Sequence, residues 1–375
     1  MYSYDVLGLM SGSSLDGLDM AFCRFEIHSL VGLEVESLRW ELVKAETATF
    51  PELWRQRLAC LPAGTALDLA LAHAQFGRYL GELALGFLER HRLEPGLIAS
   101  HGHTIFHYPE QGLSLQIGDG AALAAATGYP TIDNFRMQDV ALGGQGAPLA
   151  PIADQLLFGE YGFLLNLGGI ANLTCRHKGR VVAFDSTGLN QVLNALARQL
   201  GLAYDEDGRI ASGGRLIPEL LAQAEALEYY RRPYPKSLGN DWVQEVLLPI
   251  FIGFDAPLPD KMFTACIHAG RQIARDIGIV LQREGLPPGP YRMLATGGGA
   301  HNGFLVGCIR RECEKICSLA LEIPGPETID FKEAVLMALL GALRAANIPN
   351  ILPSVTGATR AAIGGALHQG WKRKL

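Results

Sequence analysis

The chain has 375 residues, 49% of them hydrophobic, with 32 Lys plus Arg against 38 Asp plus Glu and a net charge of −6. That is apolar material for two domains or one large one, and the acidic balance excludes the basic footprint of a nucleic-acid-binding protein. The longest apolar stretches carry charges or helix breakers, which speaks against a membrane span, and Met1-Tyr2-Ser3-Tyr4-Asp5 lacks the basic start and apolar core of a secretion signal, so a cytoplasmic enzyme is expected.

An apolar run, Leu7-Gly8-Leu9-Met10, leads into Ser11-Gly12-Ser13-Ser14-Leu15-Asp16-Gly17-Leu18-Asp19, and Met20 to Phe25 leads out. This predicts a β-hairpin with Asp16-Gly17 as its tight-turn pair. The turn is richer in hydroxyl residues than a hairpin needs. Glycines admit close approach of a ligand, and consecutive N–H groups with Ser hydroxyls make an anion cradle. The stretch reads either as a phosphate-binding hairpin or as a surface hairpin with a serine-rich tip.

Residues 38–50 predict further strand, and Pro51 starts helical spacing that runs to residue 93 with a break at Pro62-Ala63-Gly64. Short strands follow at 97–104, 113–120 and 129–134, the second opening an Ala-rich helix. Asp119 stands at a strand-to-helix junction, where open α/β sheets place ligands. Gly143-Gly144-Gln145-Gly146-Ala147-Pro148-Leu149 reads as a flexible segment before a helix. Leu165-Asn166-Leu167-Gly168-Gly169-Ile170-Ala171-Asn172-Leu173 is a second strand–glycine turn–strand unit. Arg180 to Gly188 is a strand ending in Asp185-Ser186-Thr187-Gly188, with a helix after Leu189. Two α/β halves, each opening with a glycine-turn hairpin, suggest a bilobal nucleotide-binding architecture.

Residues 211–226 read as helix, and Tyr229 to Ser237 as an aromatic, proline-marked loop in which Lys236 is either a phosphate or substrate contact or a solvated side chain. A long amphipathic helix is predicted over 262–283. Tyr291 to Thr296 is a strand running into Gly297-Gly298-Gly299, where a flat or anionic ligand can lie against backbone. Asp330 is the expected N-cap of a helix through Arg344. Leu352 to Ala358 is a small-residue loop before a C-terminal helix.

The seven cysteines include no CxxC pair; Cys313 and Cys317, four apart on a predicted helix, read as partly buried thiols rather than zinc ligands. No GxxxxGK[ST] loop and no protein-kinase motif set is present, so phosphate binding would rest on backbone N–H groups, hydroxyls and a metal. Asp16 is the candidate magnesium ligand, directly or through water. Asp185 is the best-placed base for phosphoryl transfer to a hydroxyl or water, or else an N-cap; Asp119 and Glu333 carry the same two readings. His101 and His103 flank Gly102 and can donate to a substrate oxygen.

Taken together, Gly8 to Asp19, Ser100-His101-Gly102, Leu115-Gln116-Ile117-Gly118-Asp119, the 143–149 segment, Asn166 to Leu173, Gly297 to Asn302 and Leu352 to Ala358 resemble, in the same order, the motifs of the anhydro-N-acetylmuramic acid kinase family. The resemblance spans nearly the whole chain. It implies a two-domain actin-like ATPase fold, ribonuclease H-like, with duplicated halves around a nucleotide cleft. The domains are expected at 1–133 with 350–375 and at 134–349, with hinges near 133 and 350. It implies ATP and Mg2+, with Gly12, Ser13, Ser14, Leu15, Asp16, Gly17, Leu18 and Asp19 on the phosphates. Asn166, Gly168, Gly169 and Asn172 form the second phosphate hairpin, and Gly297, Gly298 and Gly299 lie near the adenosine. Asp185 matches the family's base and Glu333 a second active-site acid. His101, Asp119, Arg136 and Asn190 are expected on the substrate, with Arg136 suited to its lactyl carboxylate. The implied reaction opens 1,6-anhydro-N-acetylmuramic acid with water and phosphorylates O6 in peptidoglycan recycling; a homodimer is implied too. The chain departs from the family pattern in three places. Asp185-Ser186-Thr187-Gly188-Leu189-Asn190 replaces Asp-Thr-Gly-Pro-Gly-Asn, Ser13 replaces Thr, and His103 replaces Gln. Another sugar kinase of the superfamily, or a non-catalytic actin-like ATP-binding protein, are the alternatives.

Overall fold

The computed structural model describes residues 2–12, 15–31, 34–177 and 180–372. The strands among them are β1 (Tyr2–Ser11), β2 (Gly17–Val31), β3 (Glu34–Thr49), β4 (Leu97–Ser100), β5 (His103–Tyr108), β6 (Leu113–Ile117) and β7 (Thr131–Asp133), then β8 (Phe163–Leu167), β9 (Ile170–His177), β10 (Arg180–Gly188), β11 (Tyr291–Thr296), β12 (Leu319–Glu322) and β13 (Ala366–His368).

The chain forms two compact units, one of residues 1–158 with 331–375 and the other of 159–330. The sheet of the first runs β13-β7-β4-β1-β2-β3 and that of the second β10-β9-β8-β11-β12. Leaving β13 aside, the two orders are the same. An antiparallel meander comes first, and two further strands lie parallel to its first strand. Parallel neighbours need crossovers, and the helix Ala66–His91 before β4 and the long helix Leu258–Arg283 before β11 supply them. Thr65 and Asp68 form a reciprocal capping box at the start of the former.

The first unit's core gathers Leu7, Leu9, Met20, Phe76, Leu80 and Phe87, all under 2% exposed. On the other face of β1 the helix Lys332–Ala345 lies close, and its residues Ala334 to Ala338 pass over Gly8. This draws residues 331–349 into the first unit. On the β3 side, Trp40 donates to the Leu157 carbonyl at 3.1 Å and Lys332 pairs with Asp154 at 2.8 Å. The unit boundaries therefore fall at 158/159 and 330/331, not near 133 and 350.

Several local expectations change. Gly17 is not a turn residue: it is the first residue of β2, pairs with Thr49, and a side chain there would strike the Ala48 carbonyl. The β1–β2 turn is longer, with Leu15 at φ 61°. Asp330 does not cap the helix Lys332–Ala345; it ends the short helix Pro326–Asp330 and bonds His301 at 3.0 Å. Residues 211–226 break into two short helices, Arg209–Ser212 and Pro218–Glu225. After Ala358 no helix forms among the described residues; β13 instead adds to the sheet edge antiparallel to β7, with His368 bonded to Asp133 at 3.0 Å.

Candidate active site

In the second unit, β8 and β9 form the expected glycine hairpin, with Asn166 opposite Asn172. The carbonyls of Gly168 and Gly169 accept from the backbone N–H groups of Leu189, Asn190 and Gln191, and the Asn190 side chain donates to Leu167 O at 2.9 Å. The hairpin turn and the start of the helix Asn190–Arg198 are thus one unit of backbone.

Asp185 faces Asn172 across the β9–β10 ladder, and the register slips between Asp185 and Thr187 so that Ser186 is the extra residue of a bulge. Asp185 is not an N-cap, because the helix begins five residues later. Its Oδ1 accepts from Asn172 Nδ2 at 3.0 Å and its Oδ2 from the Leu238 backbone N–H at 2.8 Å. Its carbonyl accepts from the Tyr229 hydroxyl at 2.6 Å, and its N–H donates to Lys236 O at 3.2 Å. Asp185, Asn172 and Lys236 line one cavity of about 350 Å3.

Lys236 is no solvated lysine. Its side chain is 4% exposed, pairs with an equally buried Asp276 at 2.9 Å, and lies 5.4 Å and 5.0 Å from the ring centres of Phe184 and Tyr229. Asp276 also accepts from Ser186 Oγ at 2.6 Å. Burial pushes its carboxyl above the ordinary range, against the pull of Lys236 and Ser186. Asp276, Tyr229 and Tyr230 could not be assigned to this site from sequence, since nothing local marks an aspartate inside an amphipathic helix as the partner of a lysine 40 residues away.

A larger cavity of about 550 Å3 is bounded by Asn190 and Asn194 on one helix, by Tyr204 to Arg209, and by Gly298 to Asn302. The three glycines there have different jobs. Gly297 has φ 84°, and a Cβ on it would meet Asn166 Oδ1 at 2.6 Å; a Cβ on Gly299 would press on Leu167. Gly298 alone is open, its nearest neighbour being Asn190 Nδ2 at 3.9 Å. Asn302 and Asp205 cap the helices Gly303–Glu314 and Arg209–Ser212 and so shape the walls. The 204–209 wall was not foreseen; only its turn-like Asp-Glu-Asp-Gly run marks it.

In the first unit, Gly12, Leu15, Asp16, Leu18 and Asp19 lie at or beside the β1–β2 turn, with Asp16 exposed; Ser13 and Ser14 lie outside the described residues. Thr47 donates to Asp19 at 2.6 Å. Ser11 Oγ meets His103 Nδ1 at 3.2 Å. His101 accepts from Arg136 Nε at 2.9 Å through Nε2, so its proton belongs on Nδ1, which faces Gly102 O at 3.0 Å. Burial, and then the Arg136 charge, push its pKa down to about 4. His101 is therefore a neutral acceptor that orients an arginine. Arg136 also donates to Gly146 O at 2.7 Å, and Glu333, exposed in the first turn of its helix, offsets part of the burial cost of the guanidinium. Asp119 does cap: its Oδ1 accepts from Ala122 N at 2.6 Å, with His73 3.5 Å from the other oxygen. Asp139, also unforeseen, is buried and takes Gly146 N at 2.6 Å and the Thr356 hydroxyl at 2.5 Å, joining the 143–149 and 352–358 motifs.

Two units of one strand order, with a glycine hairpin on the first strand of each, define a two-domain α/β protein of the ribonuclease H-like, actin-like ATPase fold. The chain belongs to the anhydro-N-acetylmuramic acid kinase family, whose model matches residues 4–370, and it is an enzyme, a kinase. Proteins named anhydro-N-acetylmuramic acid kinase resemble it over nearly their whole length. The one from Streptomyces coelicolor is 35% identical over 97% of this chain and 94% of its own. That from Gloeobacter violaceus is 34% identical over 96% and 98%, and that from Coxiella burnetii 34% over 98% of each. Among solved structures, the activator of the 2-hydroxyisocaproyl-CoA dehydratase from Clostridium difficile aligns with 91% of this chain and 97% of its own at 12% identity and a TM-score of 0.39. That match is too loose to add to the strand order. No helix among the described residues is long and apolar enough to cross a membrane.

Proposed function

We propose that this protein uses ATP and water to convert 1,6-anhydro-N-acetylmuramic acid into N-acetylmuramic acid 6-phosphate, in the cytoplasm, as a step of cell-wall recycling. The observation that carries the reading is the Asp185 carboxylate, held by Asn172 and the Leu238 N–H on the wall of a cavity, in a chain of this family.

Asp185 takes a proton from water as its oxygen bonds to C1 of the sugar. The C1–O6 bond breaks, its electron pair passes to O6, and O6 attacks the γ-phosphorus while the bond to the bridging oxygen of ADP breaks. Positioning and charge stabilisation supply most of the rate. The 550 Å3 cavity is of nucleoside size, and the open face of Gly298 suits a purine lying against backbone. Gly12 and Leu15 to Asp19 on one hairpin, and Asn166, Gly168, Gly169 and Asn172 on the other, are proposed to bind phosphates. His101, Arg136, Asp119 and Glu333 are proposed on the sugar side, with Arg136 taking its carboxylate. Asn190 lines the larger cavity and is proposed to serve substrate and nucleotide alike.

Magnesium is expected with ATP. Among the described residues no group of three His, Cys, Asp or Glu side chains stands ready for a metal. That suits an ion held mostly by phosphates and water, for which the exposed Asp16 is the fitting carboxylate. Bound there, it would neutralise phosphate charge. A homodimer belongs to the same proposal, and light scattering tests it.

The deciding experiment is mass spectrometry of the product formed from ATP, magnesium and the anhydro sugar, with Asp185→Asn in parallel. A product heavier by one phosphoryl group and one water, absent with the variant, is expected. No sugar product, or an undiminished product with Asp185→Asn, overturns the reading.

A further inference from the structure

Asp185 is held at four atoms, and three of these contacts come from one segment outside its own sheet: Tyr229 to the carbonyl, Lys236 O to the N–H and Leu238 N to the carboxylate. That segment is itself anchored at a buried ion pair. Lys236 Nζ pairs with Asp276 Oδ1 at 2.9 Å, both side chains being 4% exposed. The other oxygen of Asp276 holds the hydroxyl of Ser186, the residue next to Asp185, at 2.6 Å. A single carboxylate on the helix Leu258–Arg283 therefore fixes both sides of Asp185, the bulge that carries it and the loop that bonds it. Thr187 Oγ1 adds a contact to the Tyr230 hydroxyl at 2.8 Å.

We propose that Ser186, Lys236 and Asp276, together with the Tyr229 hydroxyl, are positioning residues that orient the Asp185 carboxylate toward the cavity it lines. The proposal rests on the reading of Asp185 as the base. Lys236 lines the cavity, but its ammonium is paired with Asp276. Its worth to the reaction lies in geometry: a bulge gives the strand end freedom, and a buried ion pair with a hydroxyl on its second oxygen removes it. A base misplaced by about 1 Å loses on the order of 100-fold in rate.

Ser186→Ala and Tyr229→Phe each delete one hydroxyl and leave the ion pair intact. Each is expected to lower kcat per folded molecule about 10-fold with KM for ATP unchanged; Ser186→Ala, which strands one oxygen of the buried Asp276, also lowers the melting temperature by about 2–10 °C. The double variant should lose less than the product of the two, because both act on one clamp. Lys236→Met, which strands Asp276, is read only as kcat per folded molecule. Asp185→Asn runs alongside. If Asp185→Asn is inactive while Ser186→Ala and Tyr229→Phe turn over at the parent rate, the positioning role alone is overturned. If Asp185→Asn is fully active, the base assignment fails and the positioning role with it. Losses that appear only as a lower melting temperature, with unchanged kcat per folded molecule, also overturn the positioning role.

Discussion

Gly8 on β1 and Ala334 on the helix Lys332–Ala345 meet backbone to backbone: a Cβ on Gly8 would stand 2.7 Å from Ala338 N and closer still to the Ala334 carbonyl. This contact seats the turn that carries Glu333. Gly8→Ala must push the helix off the strand. The overpacking costs about 1–3 kcal/mol, and the melting temperature should fall by about 3–10 °C. An unchanged melting temperature by differential scanning calorimetry would contradict the packing.

The three glycines after β11 should separate by assay. Gly298→Val adds its side chain to the larger cavity, and we expect a parent-like melting temperature with KM for ATP raised at least about 10-fold. Gly297→Ala, at φ 84° against Asn166, should destabilise the fold by about 1–3 kcal/mol. Equal effects of the two on stability would show that the cavity face is misassigned.

Asp119 caps the helix Gly120–Thr127, so Asp119→Ala should cost about 1 kcal/mol in urea unfolding and Asp119→Asn almost nothing. A sugar contact adds a second signature. If the carboxylate also binds substrate, Asp119→Asn raises KM for the sugar at parent stability. A parent KM for Asp119→Asn leaves the cap as its whole role.

His101 sets an acid limit. Its folded pKa, about 4, lies below the ordinary 6.5, so the unfolded chain takes up the proton first as pH falls. Its contribution is fully present above about pH 6.5 and is lost toward pH 4, amounting to about 3 kcal/mol over that window. His268, wholly buried and pushed down to about 3, acts in the same direction in the other unit. Urea midpoints at pH 7 and pH 5 should therefore drop less for His101→Asn than for the parent. An identical drop would mean that His101 is charged in the folded protein.

Thr356→Val leaves one oxygen of the buried Asp139 without its hydroxyl and should cost about 1–3 kcal/mol. Thr356→Ser, which keeps the donor, should recover most of it in the same unfolding assay.

The amino-acid sequence by itself determined both hairpins, most strands, the two long crossover helices and the glycine turns, because alternation, helical spacing and glycine placement are local properties. Only the tertiary structure decided which unit residues 134–158 and 331–349 join, since that follows from a helix seated on Gly8 and a tryptophan bonded to Leu157. It also turned Lys236 from a surface charge into a buried anchor and paired the C-terminal stretch with β7 as a strand. Each of these is settled by a partner far along the chain. Burial, ion pairing and strand addition belong to the pair of residues that meet, and local pattern records only one of them at a time.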